Sequence, residues 1–380
     1  MAIIFFLLIL AICHAYFGYP LLMIALRRVK ECKKINRSKI FPYISVVIPA
    51  YNEEASIRSK LENILLSDYP RDKMEIFVTS DASSDRTDNI VKNFEGKGIN
   101  LYRLKKRGGK IAAYRGILPK LNGEIVVFTD ATSMLKKDAI SNLISNFSDQ
   151  TVGCAGGLLL YVNPDKAFVG EGESKYWDYE KRVRLYESEL CSLPSVSGTL
   201  YAIRKNLYPI DMKDDLADDL IAPIKVFKAG YRTVLAKDAI CTEYTTLNVK
   251  EDMAKRMRIT IQNIRGIIDQ LDILNPFKYG LFSLIILSHK VFRLLVPVFL
   301  LLLFATSLIL SYSSSFFLVI LISQVMFYIV GLLGYLLKQG IKLKIVNAIF
   351  YFCLVNFSIL LGIIKFFTGE KVKIWEPIRA

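Results

Sequence analysis

The stretch ISVVIPAYNEE, residues 44–54, is a run of branched apolar residues that breaks on a proline and ends in small and acidic residues. Ile44 to Ile48 reads as a buried strand, and the pattern that follows reads as a helix over Glu53 to Ser67. Working outward, strands are expected over Met74–Thr79 and Ile125–Phe128, and helices over Arg86–Phe94, Lys110–Leu118 and Lys137–Phe147. This alternation predicts an α/β domain on a parallel sheet, which binds ligands at the carboxyl ends of its strands. Three strand ends in succession carry small residues and carboxylates: Pro49-Ala50-Tyr51-Asn52-Glu53-Glu54, Ser80-Asp81-Ala82-Ser83-Ser84-Asp85 and Thr129-Asp130-Ala131-Thr132. Asp85 also suits the cap of the helix that follows it.

On both sides of this domain the chain changes character. Of 380 residues, 50 are Lys or Arg and 35 Asp or Glu, a net charge of +15, yet 53% are hydrophobic. Charge and apolar residues must therefore occupy different segments. Residues 1–26 contain no charged side chain and 27–40 are basic, the pattern of a membrane anchor with its cytoplasmic linker. Residues 41–270 form the soluble domain. Residues 271–293 read as an amphipathic interfacial segment, 294–367 as transmembrane helices and 368–380 as a tail. Three crossings after the domain would leave Lys365, Lys371 and Lys373 outside, against the positive-inside rule, unless the last apolar segment, Ile345–Ile364, re-enters. The positive excess at these edges suits lipid headgroups and an anionic ligand better than nucleic acid.

Other chemistries lack their residues. The two histidines, His14 and His289, lie in or beside apolar runs, and the six cysteines form no C-x-x-C pair. No phosphate-binding G-x-x-x-x-G-K-[ST] occurs, and Gly170-Glu-Gly172 lacks the third glycine of a dinucleotide loop.

In order and spacing, seven runs resemble the membrane-anchored family 2 glycosyltransferases, the group with cellulose-synthase-like and hyaluronan-synthase-like enzymes. They are VVIPAYNEE (46–54), SDASSDRT (80–87), RGGKIAAYRGI (107–117), VVFTDATS (126–133), VSGTLYAIRK (196–205), ADDLIAPIKVFKAGYRTVLAKDAICTE (217–243) and KRMRI (255–259). The resemblance implies a GT-A-type α/β domain for a nucleotide-diphospho-sugar, with transmembrane α-helices and inverting transfer of the hexosyltransferase type. It implies a UDP-sugar donor and a polysaccharide or lipid-linked acceptor at the cytoplasmic face of the plasma (inner) membrane. A polysaccharide-synthesis complex is an implied partner, and a catalytically silent subunit of such a complex is the alternative.

Residue by residue, Pro49, Ala50, Tyr51 and Glu53 match the loop facing the nucleoside, and Asp81 matches the acid that accepts a hydrogen bond from the base. Lys110 matches a cation beside the diphosphate. Asp130 matches the first acid of the D-x-D motif that holds Mg2+ or Mn2+, whereas Thr132 replaces the second acid with a hydroxyl that adds no charge. Ser197, Gly198 and Thr199, with Arg204, resemble the stretch lining the sugars, and Asp218-Asp219 matches the acidic pair whose second member is the catalytic base. Arg258 stands where processive members carry Gln-x-x-Arg-Trp, without the Gln and Trp, and an alignment on Gln262 to Arg265 also lacks the Trp. Arg258 is expected to clamp the pyrophosphate.

Overall fold

The computed structural model describes residues 1–162, 180–244, 249–336 and 344–370. The Gly170–Gly172 stretch, Lys338, Lys342, Lys371 and Lys373 lie outside the described residues.

Among the described residues, the α/β domain is built on a sheet of eight strands in the order β3-β2-β1-β4-β7-β6-β8-β5. These are β1 Ile44–Ala50, β2 Met74–Ser80, β3 Ile99–Arg103, β4 Ile125–Thr129, β5 Met134–Leu135, β6 Val152–Val162, β7 Leu200–Arg204 and β8 Arg232–Tyr244. Strands β3, β2, β1 and β4 are parallel, as the alternation predicts. The other half departs from the expected parallel sheet, because β7 runs antiparallel to β4 and β6, and β5 antiparallel to β8. That reversal has a use. Leu200, at the start of β7, pairs with Thr129, at the end of β4, so the loop before β7 lies on the edge that carries the ends of β1, β2 and β4.

Strand alternation divides the core between the two faces of the sheet. Val46, Ile48 and Ala50 pack with Ile57, Leu61 and Ile64 of the helix Ile57–Leu65. Val47 instead joins Tyr114, Phe128, Tyr201 and Ile221 on the opposite face. Helices therefore cover both sides, and only the strand ends remain open to ligands.

Among the described residues, four helices are long and apolar enough to cross a membrane: Ala2–Val29, Leu281–Ser311, Ser315–Leu336 and Ile345–Phe367. The first two are fastened to the α/β domain by an apolar cluster and a polar knot. Tyr19 and Met23 of the first helix pack with Val183, Leu220, Ile224, Phe282 and Ile285. Beside them, the buried His289 ring bonds Glu187 through Nδ1 (2.5 Å) and Glu180 through Nε2 (2.7 Å). Arg293 donates to Glu180 at 2.5 Å, and Tyr19 donates to Glu187. A buried carboxylate is tolerated only when charges and donors surround it, as they do here. In the segment 271–293, expected to be interfacial, short helices over Leu271–Leu274 and Pro276–Tyr279 precede a helix that runs from Leu281 into the second apolar helix.

The last helix, Lys344–Phe367, lies along the amphipathic helix Val249–Asp269. A Cβ built on Gly362 would sit 2.8 Å from the Cβ of Thr260 and 3.1 Å from the Met257 carbonyl oxygen, so the backbones touch where only glycine fits. Farther on, Arg265 donates to the Glu370 carbonyl at 2.7 Å. The end of this helix therefore returns to the α/β domain. Gly362→Val is expected to force the two helices apart, with a loss of about 1–3 kcal/mol, read as a lower melting temperature of the detergent-solubilised protein.

Candidate active site

Each strand end positions one part of a single cleft. After β1, Asn52 takes a left-handed backbone (φ 53°), and its side-chain oxygen accepts from the Ser84 amide at 2.7 Å. The loops after β1 and β2 are thereby tied together. Glu53 is buried and turns inward, accepting from the Ser56 hydroxyl at 2.5 Å, while its amide donates to Thr87 at 2.7 Å. It fastens the loop on which Pro49, Ala50 and Tyr51 stand. The Arg107 guanidinium lies 3.8 Å over the Tyr51 ring. Asp85 caps its helix, accepting from the Thr87 amide at 2.9 Å.

The Asp81 amide donates to the Ala50 carbonyl at 2.9 Å, and its carboxylate accepts from the Gly108 and Gly109 amides at 2.7 and 2.9 Å. Gly109 sits at φ 87°, so this turn needs a residue without a Cβ. The turn hands the chain to the helix Lys110–Ile117 and directs Lys110 into the cleft.

There Lys110 Nζ lies 3.1 Å from Asp130 and 4.0 Å from Asp218. Burial opposes its charge, but Asp130, Asp218 and Asp219 hold the ammonium well above the usual lysine range. A Cβ on Gly198 would lie 3.3 Å from Lys110 Nζ and 3.7 Å from Asp219 Oδ2, so the bare glycine separates the cation from the second carboxylate. Asp218 and Asp219 open the helix Asp218–Lys228, and Asp218 accepts from the Tyr201 hydroxyl at 2.5 Å. Burial, and then the charge of Asp218, push the Asp219 carboxyl up to about 6. Arg258, on the helix Val249–Asp269, completes the ring. Burial lowers its guanidinium, the charges of Asp130 and Asp219 act against that, and its buried Nε has no hydrogen-bond partner among the described residues.

The loop before β7 is sewn to both neighbours. The Thr199 carbonyl accepts from the Asp130 amide (3.3 Å), the Thr129 hydroxyl (2.9 Å) and the Ser133 hydroxyl (3.2 Å). Ser197 and Thr199 share a hydrogen bond of 2.8 Å, and the Val196 amide donates to the Asp219 carbonyl at 2.8 Å.

One expected member stands elsewhere. Arg204 points to the far end of its strand, donating to the carbonyls of Val152 and Phe147, because antiparallel β7 carries it away from the loop. Asp214 and Asp215 pair with Arg115 and Arg265, outside the ring around Lys110. One member escaped sequence reading. Lys60 is fully buried, and its Nζ donates to the Thr129 hydroxyl at 2.8 Å and to the Ser133 carbonyl at 2.5 Å, on either side of Asp130. Burial pushes its ammonium down to about 7.

Comparison with known proteins gives this cleft relatives. The model of the family described as "Glycosyl transferase family 2" matches residues 45–208. A curated relative, the probable glycosyltransferase YdaM of Bacillus subtilis, is 29% identical over 226 residues, 54% of this chain and 51% of the relative. A beta-monoglucosyldiacylglycerol synthase of Trichormus variabilis is 28% identical over 136 residues, 35% of this chain and 29% of the relative. The chain thus spans about half the length, or less, of these curated relatives. Among solved structures, a mannosyltransferase from Pyrobaculum calidifontis, in complex with GDP-Man and Mn2+, superposes with a TM-score of 0.72 at 23% identity. It covers 96% of this chain and 99% of its own, and shows a common fold that includes the apolar helices.

The like charge of Asp218 helps raise Asp219, so neutralising it should lower the pKa of Asp219. Asp218→Asn is expected to move the acid-side midpoint of the kcat/KM profile from near pH 6 to lower pH by about one unit. A midpoint that stays in place, or moves up, contradicts this electrostatic account.

Proposed function

We propose that the chain, whose residues 45–208 are a Glycosyl transferase family 2 domain, is an inverting glycosyltransferase. In this reading it moves a sugar from a nucleoside-diphospho-sugar to a lipid or lipid-linked glycan acceptor at the membrane surface. The observation that carries the reading is Gly198, where a Cβ would lie 3.3 Å from the Lys110 ammonium and 3.7 Å from the Asp219 carboxylate, so the two groups flank one position. A cation for a leaving diphosphate and a base for an attacking hydroxyl thus face one small space.

Asp219, with its carboxyl near 6, is largely ionised at neutral pH and takes the proton of the acceptor hydroxyl. The acceptor oxygen bonds to the anomeric carbon from the face opposite the diphosphate. The bond from that carbon to the phosphate oxygen breaks, and its electron pair leaves with the nucleoside diphosphate. Lys110 and Arg258 stabilise that developing charge. Asp81 accepts from an N–H of the base, since a carboxylate whose oxygens each accept one amide retains further lone pairs.

Asp130 and the Thr132 hydroxyl fit a hard divalent cation in their chemistry, and Asp130 already accepts a cation, the Lys110 ammonium. Mg2+ or Mn2+ there would neutralise charge on the leaving diphosphate. The Mn2+ of the mannosyltransferase complex supports this reading, and the named glucolipid synthase among the relatives supports a lipid acceptor. We propose uridine as the base, with guanosine, the base of that mannosyltransferase's donor, as the competitor.

Purified protein with Mn2+ or Mg2+, a membrane lipid extract and labelled UDP- and GDP-sugars should yield a labelled lipid product. Asp219→Asn should lower turnover by about 10²–10⁴-fold. Unchanged turnover in that variant, or neither transfer nor donor hydrolysis across the panel, overturns the proposal.

The orientation proposed puts residue 27 onward, with the α/β domain, in the cytoplasm. The contact of Arg265 with Glu370 supports three true crossings and a last helix that returns to the domain. A tag after Ala380 should therefore be cleaved by protease only in inside-out vesicles. Cleavage in right-side-out vesicles would make the last helix a fourth crossing.

A further inference from the structure

The D-x-D position holds a hydroxyl, Thr132, where the resembling family holds an acid, which leaves Asp130 as the single carboxylate of that motif. Asp130 is also shared with Lys110 at 3.1 Å. One carboxylate and one hydroxyl offer a divalent cation half the charge of two acids, and affinity for hard cations follows ligand charge. The missing charge stands on another strand. The Thr132 hydroxyl donates to Oε1 of Glu243 at 3.2 Å.

This contact follows from strand register. Leu135 of β5 pairs with Cys241 of β8, and Met134 pairs with Thr242, whose hydroxyl donates to the Met134 carbonyl at 3.3 Å. One step further along this antiparallel pair, Glu243 faces the turn that carries Thr132 and Ser133. The turn is held from below by Lys60, which grips Thr129 and Ser133 on its two sides. Asp130 and Thr132 are thus fixed on a pinned loop, and Glu243 is fixed by the ladder. A second feature points to a ligand here: Arg258 of the neighbouring helix has a buried Nε with no hydrogen-bond partner among the described residues, as expected where an anion such as a diphosphate enters.

We propose that Glu243 supplies the second carboxylate of the divalent-cation site, with Asp130 as the first and the Thr132 hydroxyl between them. The motif's lost acid is replaced across the sheet rather than along the chain. This proposal rests on the glycosyltransferase reading above and names one more residue of the same site.

The test reads metal binding directly. Full-length protein in detergent is titrated with Mn2+ while the free ion is followed by electron paramagnetic resonance, with and without UDP or GDP. Glu243→Gln should weaken Mn2+ binding about tenfold or more, with UDP or GDP binding in EDTA unchanged. Adding Thr132→Asp to that variant returns the acid to the motif and should restore the affinity, an outcome that a folding defect could not produce. Parental Mn2+ affinity in Glu243→Gln, or a double variant as weak as the single one, overturns the role of Glu243 and leaves the transferase reading intact. A parent protein that binds neither Mn2+ nor a nucleoside diphosphate overturns both.

Discussion

The cleft depends on one ammonium set among three carboxylates. Asp130 and the adjacent Asp218 and Asp219 come from two segments far apart in the chain, and without a cation their mutual repulsion in a buried space would be severe. Lys110 holds them together, and its own position is set by the turn in which Asp81 accepts from the two preceding glycine amides. The nucleoside end and the reacting end of the cleft are therefore mechanically linked through four consecutive residues, 107 to 110. The Tyr51 ring under Arg107 extends that link to the first strand.

Much of this was legible in the sequence, for a definite reason. Asp81, Lys110, Asp130 and Asp219 stand just after strands or at helix starts, where a parallel α/β domain exposes its ligands, so local pattern and site coincide. What escaped reading depends on pairing between distant strands. No alternation of apolar residues reveals that β7 runs backward, since the chain reaches it after a long excursion from β6. That reversal brings Ser197 to Thr199 to the edge and carries Arg204 away from it. Lys60 sits on an amphipathic helix where a lysine ordinarily reaches solvent. Its burial is set by a loop nearly seventy residues later, whose hydroxyls and carbonyl meet its three donors. Glu243 was in view as the end of a quoted run, and the rule applied to the first three strand ends would have singled it out at the end of β8.

The second histidine shows the same limit. Its apolar flanks excluded a triad but gave no sign of its partners. The structure sets His289 between Glu180 and Glu187, at the point where the first apolar helix, the second apolar helix and the α/β domain meet. That knot is a structural fastener. It explains how so many charged groups can be buried beside apolar helices, because every carboxylate in it accepts from a neighbour.

The glycine contact between the last helix and the helix Val249–Asp269 bears on where Arg258 sits. Arg258 rides on a helix whose neighbour, at Gly362, presents Phe357, Ile364 and Phe367 outward to whatever surrounds the protein. Two touching backbones are therefore all that separates that exposed apolar face from the helix that carries the guanidinium.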